Sequence, residues 1–307
     1  MQHQSVLLEQ AVVALVTDKN GFYVDGTFGR GGHSRRILKD LSEQGRLLVI
    51  DKDPEAIALA QELALEDKRV SVYHGSFDAL QKVMHDLDVM GQVTGVLLDL
   101  GVSSPQLDDA QRGFSFNKDG PLDMRMNTAS GTTAEAWLAQ VDEKALADVL
   151  YQFGEERYSR RIARAICKYR LQDAISSTLQ LAEIIKQAHP KWERHKHPAT
   201  RSFQAIRIVI NNELGDLQNA LAVMLDALAI GGRLVVISFH SLEDRIVKQF
   251  IQKEIKGGDF PVDLPITQDQ LNPRLKAIGK AVKAGDEEVN ENIRSRSAIM
   301  RIAEKIA

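Results

Sequence analysis

The sequence predicts an α/β protein in which a mostly parallel sheet is flanked by helices and carries an inserted, mostly helical domain. Three observations support this fold class. Short β-rich runs alternate with helical patterns through the first third of the chain, these runs are apolar along most of their length, and strand-like runs return after a long helical stretch. Alternating strands and helices are typical of right-handed βαβ units, and continuously apolar strands are typical of a sheet covered on both faces.

Four strands are predicted in the first third of the chain. They are Gly21–Asp25, Arg46–Asp51, Arg69–His74 and Thr94–Leu100. A helix follows each of the first three strands. The second of these helices is predicted to begin at Asp53-Pro54, because Asp can cap a helix and Pro fits its first turn.

The pattern changes after Ser104-Pro105, where helical segments follow one another without strand-like alternation. Strand-like runs return at Gly231–Ser238 and at Ser297–Ala303. We therefore predict one domain formed by residues 1–104 and 206–307, interrupted by an inserted helical domain at residues 105–205. Lys256–Glu291, which is rich in glycine, proline and charge, is predicted to be a long loop.

Composition favours a cytoplasmic protein. Cys167 is the single cysteine, which excludes an intrachain disulfide and a cysteine-rich zinc site. The first residues lack a basic segment followed by a long apolar run, and no stretch approaches the roughly 20 apolar residues of a spanning helix. We expect neither secretion nor a membrane partner, and no metal site is evident.

Charge is distributed unevenly along the chain. The formal net charge is −3, yet Glu155–Arg207 holds twelve Lys or Arg against five Asp or Glu. A local basic surface on a mildly acidic protein suits a specific nucleic-acid substrate, since phosphate contacts position the partner. A solvated helical face is the alternative interpretation of the same pattern.

A glycine-rich turn follows the first strand, in Asp25-Gly-Thr-Phe-Gly-Arg-Gly-Gly-His33. Glycine lets the backbone approach a ligand closely. By itself the turn is compatible with a dinucleotide site, a phosphate site or a purely structural turn. The strict G-x-G-x-x-G pattern is not met, because Ser34 occupies the third glycine position, and no Walker lysine is present.

Carboxylates end several of the predicted strands and narrow the choice of ligand. Asp51 ends the second strand, where it can accept hydrogen bonds from both hydroxyls of a ribose. Phe77 follows the third strand and can lie against an adenine, and Asp99 ends the fourth. Asp25 would be unfavourable beside a pyrophosphate but favourable near a cationic sulfonium. The pattern thus favours S-adenosylmethionine over a nicotinamide dinucleotide.

Six blocks distributed over nearly the whole chain resemble the bacterial 16S ribosomal RNA (cytosine N4)-methyltransferases. They are Asp25–Ser34, Asp99–Gln106, Arg112–Phe116, Gly120–Met126, His197–Gln204 and Ser238–Arg245. Each block is weak alone, whereas together they are specific. The resemblance implies a Rossmann-like class I methyltransferase that methylates N4 of one cytosine in the decoding region of 16S ribosomal RNA, in the small ribosomal subunit. It does not decide between a monomer and a dimer.

The resemblance also implies the residues of the cofactor site. The family's S-adenosylmethionine contacts fall on Gly31, Gly32, His33, Asp51, Phe77, Asp99 and Gln106. Asp99 is in addition our catalytic candidate, as an acceptor for the reacting amine. A carboxylate that merely caps the next turn is the alternative role for Asp99.

Substrate contacts are predicted mainly in the inserted domain, which we assign to substrate recognition. Arg125, Arg201 and Arg207 are candidates for phosphate or base contacts, with solvated salt bridges as the alternative. His240 follows the fifth predicted strand and is a candidate for substrate binding, although a lone His is more often structural.

Three competing functions remain open from the sequence. A DNA amino-methyltransferase is disfavoured, because the proline pair and aromatic residue typical after the fourth strand are missing beyond Asp99. A non-catalytic RNA-binding factor for ribosome assembly is disfavoured by the intact glycine-rich turn and strand-end carboxylates. A dehydrogenase would require binding of a nicotinamide dinucleotide.

Overall fold

Two compact units make up the chain in the computed structural model, which describes residues 5–76, 80–191, 197–257 and 271–307. The first unit comprises Met1–Gly101 and Leu214–Ala307, and the second comprises Val102–Glu213. The predicted insertion ended at residue 205, which lies within the helix Ala199–Ile210. That helix buries Phe203 and Ile206 in the core of the second unit, so the division between the units falls after the helix.

The first unit contains a sheet with strand order β3-β2-β1-β4-β5-β8-β6, and β7 also pairs with β8. Its strands in the described residues are β1 Phe22–Asp25, β2 Arg46–Asp51, β3 Val70–His74, β4 Val93–Asp99, β5 Leu228–Ser238, β6 Leu275–Ala277, β7 Val282–Lys283 and β8 Ile299–Lys305. The pairs formed among β1 to β5 are parallel. Strand β8 pairs antiparallel with β5, β6 and β7. The predicted fold class is confirmed.

Helices cover both faces of this sheet. They are α1 Leu8–Leu15, α2 Gly32–Asp40, α3 Pro54–Glu66, α4 Leu80–Asp86, α11 Glu213–Ala227, α12 Ser241–Lys256 and α13 Asp286–Glu291. Successive strand residues point to opposite faces. Leu48 and Ile50 therefore join one core cluster, whereas Leu47 and Val49 join the other. This double burial is the reason why the central strands β2, β4 and β5 are apolar along most of their length.

The loop predicted at Lys256–Glu291 is wrong in part. Strands β6 and β7 and helix α13 lie within it. Leu275 of β6 is buried and pairs with Lys305 of β8, so this short strand extends the sheet at its edge. Residues 258–270 of the predicted loop lie outside the described residues.

Six α-helices build the described part of the second unit. They are α5 Ser104–Asp108, α6 Ala134–Gln140, α7 Glu143–Gly154, α8 Ser159–Tyr169, α9 Thr178–Ala188 and α10 Ala199–Ile210. Thr133, Asp142 and Ser177 cap α6, α7 and α9 by accepting a backbone N–H bond in the first turn. Their buried apolar residues form one core within the unit.

Candidate functional site

The candidate site lies in the first unit, where the glycine-rich turn meets the carboxyl ends of β1, β2 and β4. The turn is fixed to its neighbours by backbone bonds: Phe28 N donates to Ile50 O at 3.0 Å, and Gly26 N donates to Leu97 O at 2.9 Å. Asp99 N donates to Thr27 Oγ1 at 2.6 Å. Three strands thus hold the turn in a single conformation before any ligand arrives.

Two glycines end this turn. Gly31 is the N-cap of α2 with φ 76°, a left-handed conformation that favours glycine, and a Cβ there would lie 2.6 Å from Phe28 Cζ. At Gly32 a Cβ would lie 1.9 Å from Ser5 Oγ, so a larger residue would require the Ser5 side chain to move. The bare backbone of both glycines leaves a surface that a ligand can approach closely.

Asp51 anchors the turn from the end of β2. Its Oδ2 accepts a bond from Gly29 N at 2.8 Å, and its Oδ1 accepts one from Asp53 N at 2.9 Å. Burial raises the pKa of this carboxyl, while the bonds from the backbone of Asp53, Gly29 and Lys52 lower it. A carboxylate has about four acceptor positions, so Asp51 can still accept from ribose hydroxyls.

Asp25 is a second buried carboxyl at this site, and only 1% of it is exposed. It accepts from Ser34 Oγ at 2.5 Å and from Thr27 N at 3.1 Å. Burial raises its pKa to about 6, partly opposed by these hydrogen bonds. Ionised Asp25 is therefore unfavourable in the folded protein by itself and favours a nearby positive charge.

Replacing Asp25 by Asn should remove a pH dependence of stability. The pKa of Asp25 in the folded protein lies above its ordinary value of 3.8, so the folded protein holds the proton more tightly than the unfolded chain does. The protonated carboxyl of Asp25 therefore stabilises the folded protein fully below pH 3.8. This contribution to the free energy of unfolding declines as the pH rises and is lost above about pH 6. Over that range the wild type should lose about 3 kcal/mol of unfolding free energy relative to Asp25→Asn. Urea unfolding of both proteins from pH 4 to 7 measures this difference, and a constant difference would contradict the prediction.

Asp99 presents an acceptor atom without a partner at the end of β4. About 24% of its side chain is exposed, yet its Oδ1 is buried and has no hydrogen bond among the described residues. Burial raises the pKa of Asp99 well above its usual range, and the negative charges of Asp25 and Glu243 add to this effect. Buried acceptors are nearly always satisfied, so this oxygen is suited to a ligand's hydrogen-bond donor.

His33 lies in the first turn of α2, beside Asp99. Its Nε2 is 3.1 Å from Val6 O, and because a carbonyl only accepts, this nitrogen carries the hydrogen. Its Nδ1 is 3.6 Å from Asp99 Oδ2. The imidazole is 5% exposed, and its bond to the Val6 carbonyl holds the ring beside Asp99.

His240 is the N-cap of α12, immediately after β5. Its Nδ1 accepts from Glu243 N at 3.4 Å, while Glu243 Oε2 accepts from Phe239 N at 2.8 Å. His240 Nε2 is 3.1 Å from Glu243 Oε1 but not in hydrogen-bonding geometry. His240 thus has a capping role, and its predicted substrate contact stays a prediction.

Two predicted cofactor contacts are not tested by the described structure. Phe77 lies outside the described residues. Gln106 belongs to the second unit, where its Oε1 accepts from Ser103 N at 2.8 Å and completes the capping box of α5. Both contacts stay predictions.

The three predicted arginine contacts lie in the second unit and bond to groups within it. Arg125 binds both carboxylate oxygens of Asp123 at 2.8 Å, and Arg207 binds both oxygens of Glu213 at 2.8 Å. Arg201 donates to Glu155 O at 3.1 Å. Arg125 and Arg207 thus form salt bridges, which is the alternative role given for them above. Contact of the three arginines with RNA stays a prediction.

Two residues that shape the site, Thr27 and Ser34, were not predicted from the sequence. Thr27 Oγ1 accepts a bond from the amide of Asp99, and Ser34 Oγ donates to Asp25. Glu243, which follows the fifth predicted strand and was expected to face the same crevice, contributes charge near Asp99. Ser34 occupies the position of the third glycine in the dinucleotide pattern, which could have indicated its role. The closeness of Glu243 to Asp99 depends on β4 and β5 being neighbours.

Comparison with known proteins finds similar sequences along nearly the whole chain. The model of the MraW methylase family matches residues 1–306. Ribosomal RNA small subunit methyltransferase H of Marinomonas sp. (strain MWYL1) is 55% identical over 306 residues, covering 100% of this chain and 98% of that protein. The protein of the same name from Chromohalobacter salexigens is 56% identical over 306 residues, covering 99% and 92%.

A solved structure shows a weaker likeness. The rRNA methylase from Streptococcus thermophilus is 10% identical with a TM-score of 0.42, covering 97% of this chain and 93% of its own. Sequence identity to the relatives, and not this structural likeness, establishes the relationship.

Proposed function

The chain belongs to the MraW methylase family, and we propose that it methylates N4 of one cytosine in the decoding region of 16S ribosomal RNA. The unpartnered acceptor of Asp99 beside the glycine-rich turn is the observation that carries this proposal. The relatives' names support ribosomal RNA of the small subunit as the substrate. The choice of N4 rests on the resemblance of the six sequence blocks. We further propose that the second unit recognises the RNA and that the protein acts in the cytoplasm.

S-adenosylmethionine is the cofactor of this methyltransferase. The site's chemistry fits it, because Gly31 and Gly32 present bare backbone and the carboxyls of Asp25 and Asp99 favour a cationic ligand. The bound cofactor supplies an electrophilic methyl group on a sulfonium. The residues proposed to hold it are Gly31, Gly32, His33, Asp51, Phe77, Asp99 and Gln106.

Asp99 is proposed to accept the proton of the reacting amine. The exocyclic amine of cytosine is a poor nucleophile because its lone pair is conjugated with the ring. A carboxylate that accepts a hydrogen bond from this amine favours the pyramidal nitrogen that reacts. Methylation of this nitrogen would leave it with one proton too many, and the carboxylate of Asp99 would accept that proton. Burial raises the pKa of Asp99, which makes its carboxylate a better acceptor of that proton.

His33 is proposed as a positioning residue for Asp99. With the hydrogen on Nε2, the Nδ1 atom is an acceptor that lies 3.6 Å from Asp99 Oδ2, so it attracts that oxygen only while the carboxyl of Asp99 is protonated. Asp99 N is held at the same time by Thr27 Oγ1. The backbone of Asp99 is thus constrained, and Oδ1 remains as the oxygen available to the substrate.

Methyl transfer to small ribosomal subunits tests the proposed function. Subunits purified from cells lacking this protein are incubated with the protein and labelled S-adenosylmethionine, and the nucleosides of their RNA are separated. We expect label in N4-methylcytidine. Label in another nucleoside would identify a different acceptor, and the same experiment on duplex DNA tests a DNA amino-methyltransferase. Cofactor binding without transfer to any substrate would instead support a non-catalytic assembly factor.

A further inference from the structure

Helix α8 of the second unit has two chemically different faces. Ile162, Ala163 and Ile166 are buried in the core of the unit. Five exposed cationic residues, which we term the α8 cationic face, lie on the helix and in the residues just before it: Arg157, Arg160, Arg161, Arg164 and Lys168. Their spacing of three, four or seven residues places them on one side of a helix.

Most of this charge is not neutralised within the protein. Arg164 is 3.4 Å from Glu143, and both side chains are largely exposed. Within the described residues, Arg157, Arg160, Arg161 and Lys168 have no carboxylate within 4.0 Å. Arg125 and Arg207 differ, since Asp123 and Glu213 pair with them.

Fold stability does not explain the face. Like charges three or four residues apart repel one another and disfavour the helix, as for Arg160 with Arg164 and Arg161 with Arg164. The apolar residues on the opposite side already attach α8 to the core. An anionic partner outside the protein would relieve the repulsion.

We propose that the α8 cationic face binds the phosphate backbone of the RNA substrate, an inference that rests on the proposed function. Arginine suits this role because its planar guanidinium can bind two phosphate oxygens at once. From Arg160 to Lys168 the helix rises about 12 Å, so the face can contact more than one phosphate. Contacts of this kind position RNA without selecting its bases.

Charge reversal tests the inference. The variant R160E/R161E/K168E is compared with wild type for binding to small ribosomal subunits over a range of salt concentrations. We expect affinity to fall at least ~10-fold near 0.1 M salt, because three phosphate contacts are lost. The slope of log affinity against log salt should become shallower by roughly 2. The KM for subunits should rise, while S-adenosylmethionine affinity stays unchanged.

A matched control separates this face from net charge. Lys39, Lys68 and Lys248 are exposed lysines of the first unit, and K39E/K68E/K248E changes the net charge by the same amount. It should bind subunits nearly as wild type does. Equal losses in both triple variants, or no loss in either, would overturn the inference.

Two further measurements keep the outcome decisive. The neutral variant R160Q/R161Q/K168Q, checked by circular dichroism and thermal unfolding, should show an intermediate affinity if α8 remains folded. Loss of binding to phosphatidylglycerol vesicles in R160E/R161E/K168E, with RNA affinity retained, would assign the face to a membrane and overturn the inference.

If wild type binds RNA through this face but transfers no methyl group, the proposed function fails alone. If wild type methylates RNA and both charge-reversed triples behave alike, the α8 inference fails alone.

Discussion

Replacing Asp99 by Asn should lower kcat for methyl transfer by about 100-fold or more. Asn keeps the size of the side chain and one acceptor oxygen, but it cannot take a proton from the reacting amine. The carboxyl of Asp99 is suited to that step because burial and the charges of Asp25 and Glu243 raise its pKa. Asp99 N bonds to Thr27 through the backbone, so the substitution leaves the anchor of the glycine-rich turn in place.

Single-turnover transfer of labelled methyl measures the effect, together with equilibrium binding of the cofactor. Cofactor affinity should change far less than kcat. Asp86→Asn is the matched control, since it removes an exposed carboxylate at the end of α4 and should retain normal turnover. Near-normal turnover of Asp99→Asn would end the role of Asp99 as proton acceptor and favour its alternative role as a turn cap.

The pH profile of the reaction provides an independent test of the same role. Ionised Asp25 raises the pKa of Asp99. Asp25→Asn should therefore shift the acidic limb of kcat toward lower pH, because Asp99 then loses its proton more readily. If the acidic limb of the kcat profile does not move, the titration of another group, and not that of Asp99, produces that limb.

Replacing Asp51 by Ala should weaken S-adenosylmethionine binding by roughly 10- to 100-fold, which corresponds to about 1.5–3 kcal/mol for a lost charge-assisted hydrogen bond. Two effects combine in this loss. The ribose loses its proposed hydrogen-bond acceptor. Gly29 N loses its 2.8 Å hydrogen bond to Asp51 Oδ2, which fixes the turn. Isothermal titration of the cofactor measures the change.

A graded variant separates the two effects at Asp51. Asp51→Asn retains one acceptor oxygen, which can still bond Gly29 N, and it should lose less affinity than Asp51→Ala. Equal losses would indicate that the charge of Asp51, and not its anchoring of the turn, governs binding. Unchanged affinity in both variants would remove the ribose assignment.

Local sequence patterns determined the strands, the glycine-rich turn and the carboxylates at the strand ends. Apolar runs such as Leu47–Ile50 predict buried strands, and parallel strands deliver their carboxyl ends to one edge of a sheet. Asp25, Asp51 and Asp99 could therefore be placed at one site before the structure was known. These features depend on residues close together in sequence, which is why the sequence predicts them.

Helix α10 shows where local patterns fail. Its last turns, Ile206–Ile210, are rich in β-branched residues, which by themselves favour a strand. Packing of Phe203 and Ile206 in the second unit's core overrides that preference. This helix was not predicted, and the predicted domain boundary at residue 205 falls inside it.

Tertiary structure alone decided which charged groups meet. Glu243 influences Asp99 because β5 lies beside β4, and His33 faces Asp99 because α2 packs at the same strand end. The partners of Arg125 and Arg207, and the absence of described partners for Arg160 and Arg161, likewise follow from the packed helices. Composition counts charges, but a pKa or an ion pair depends on distances of a few ångströms between residues far apart in sequence. Those distances exist only once the chain has folded.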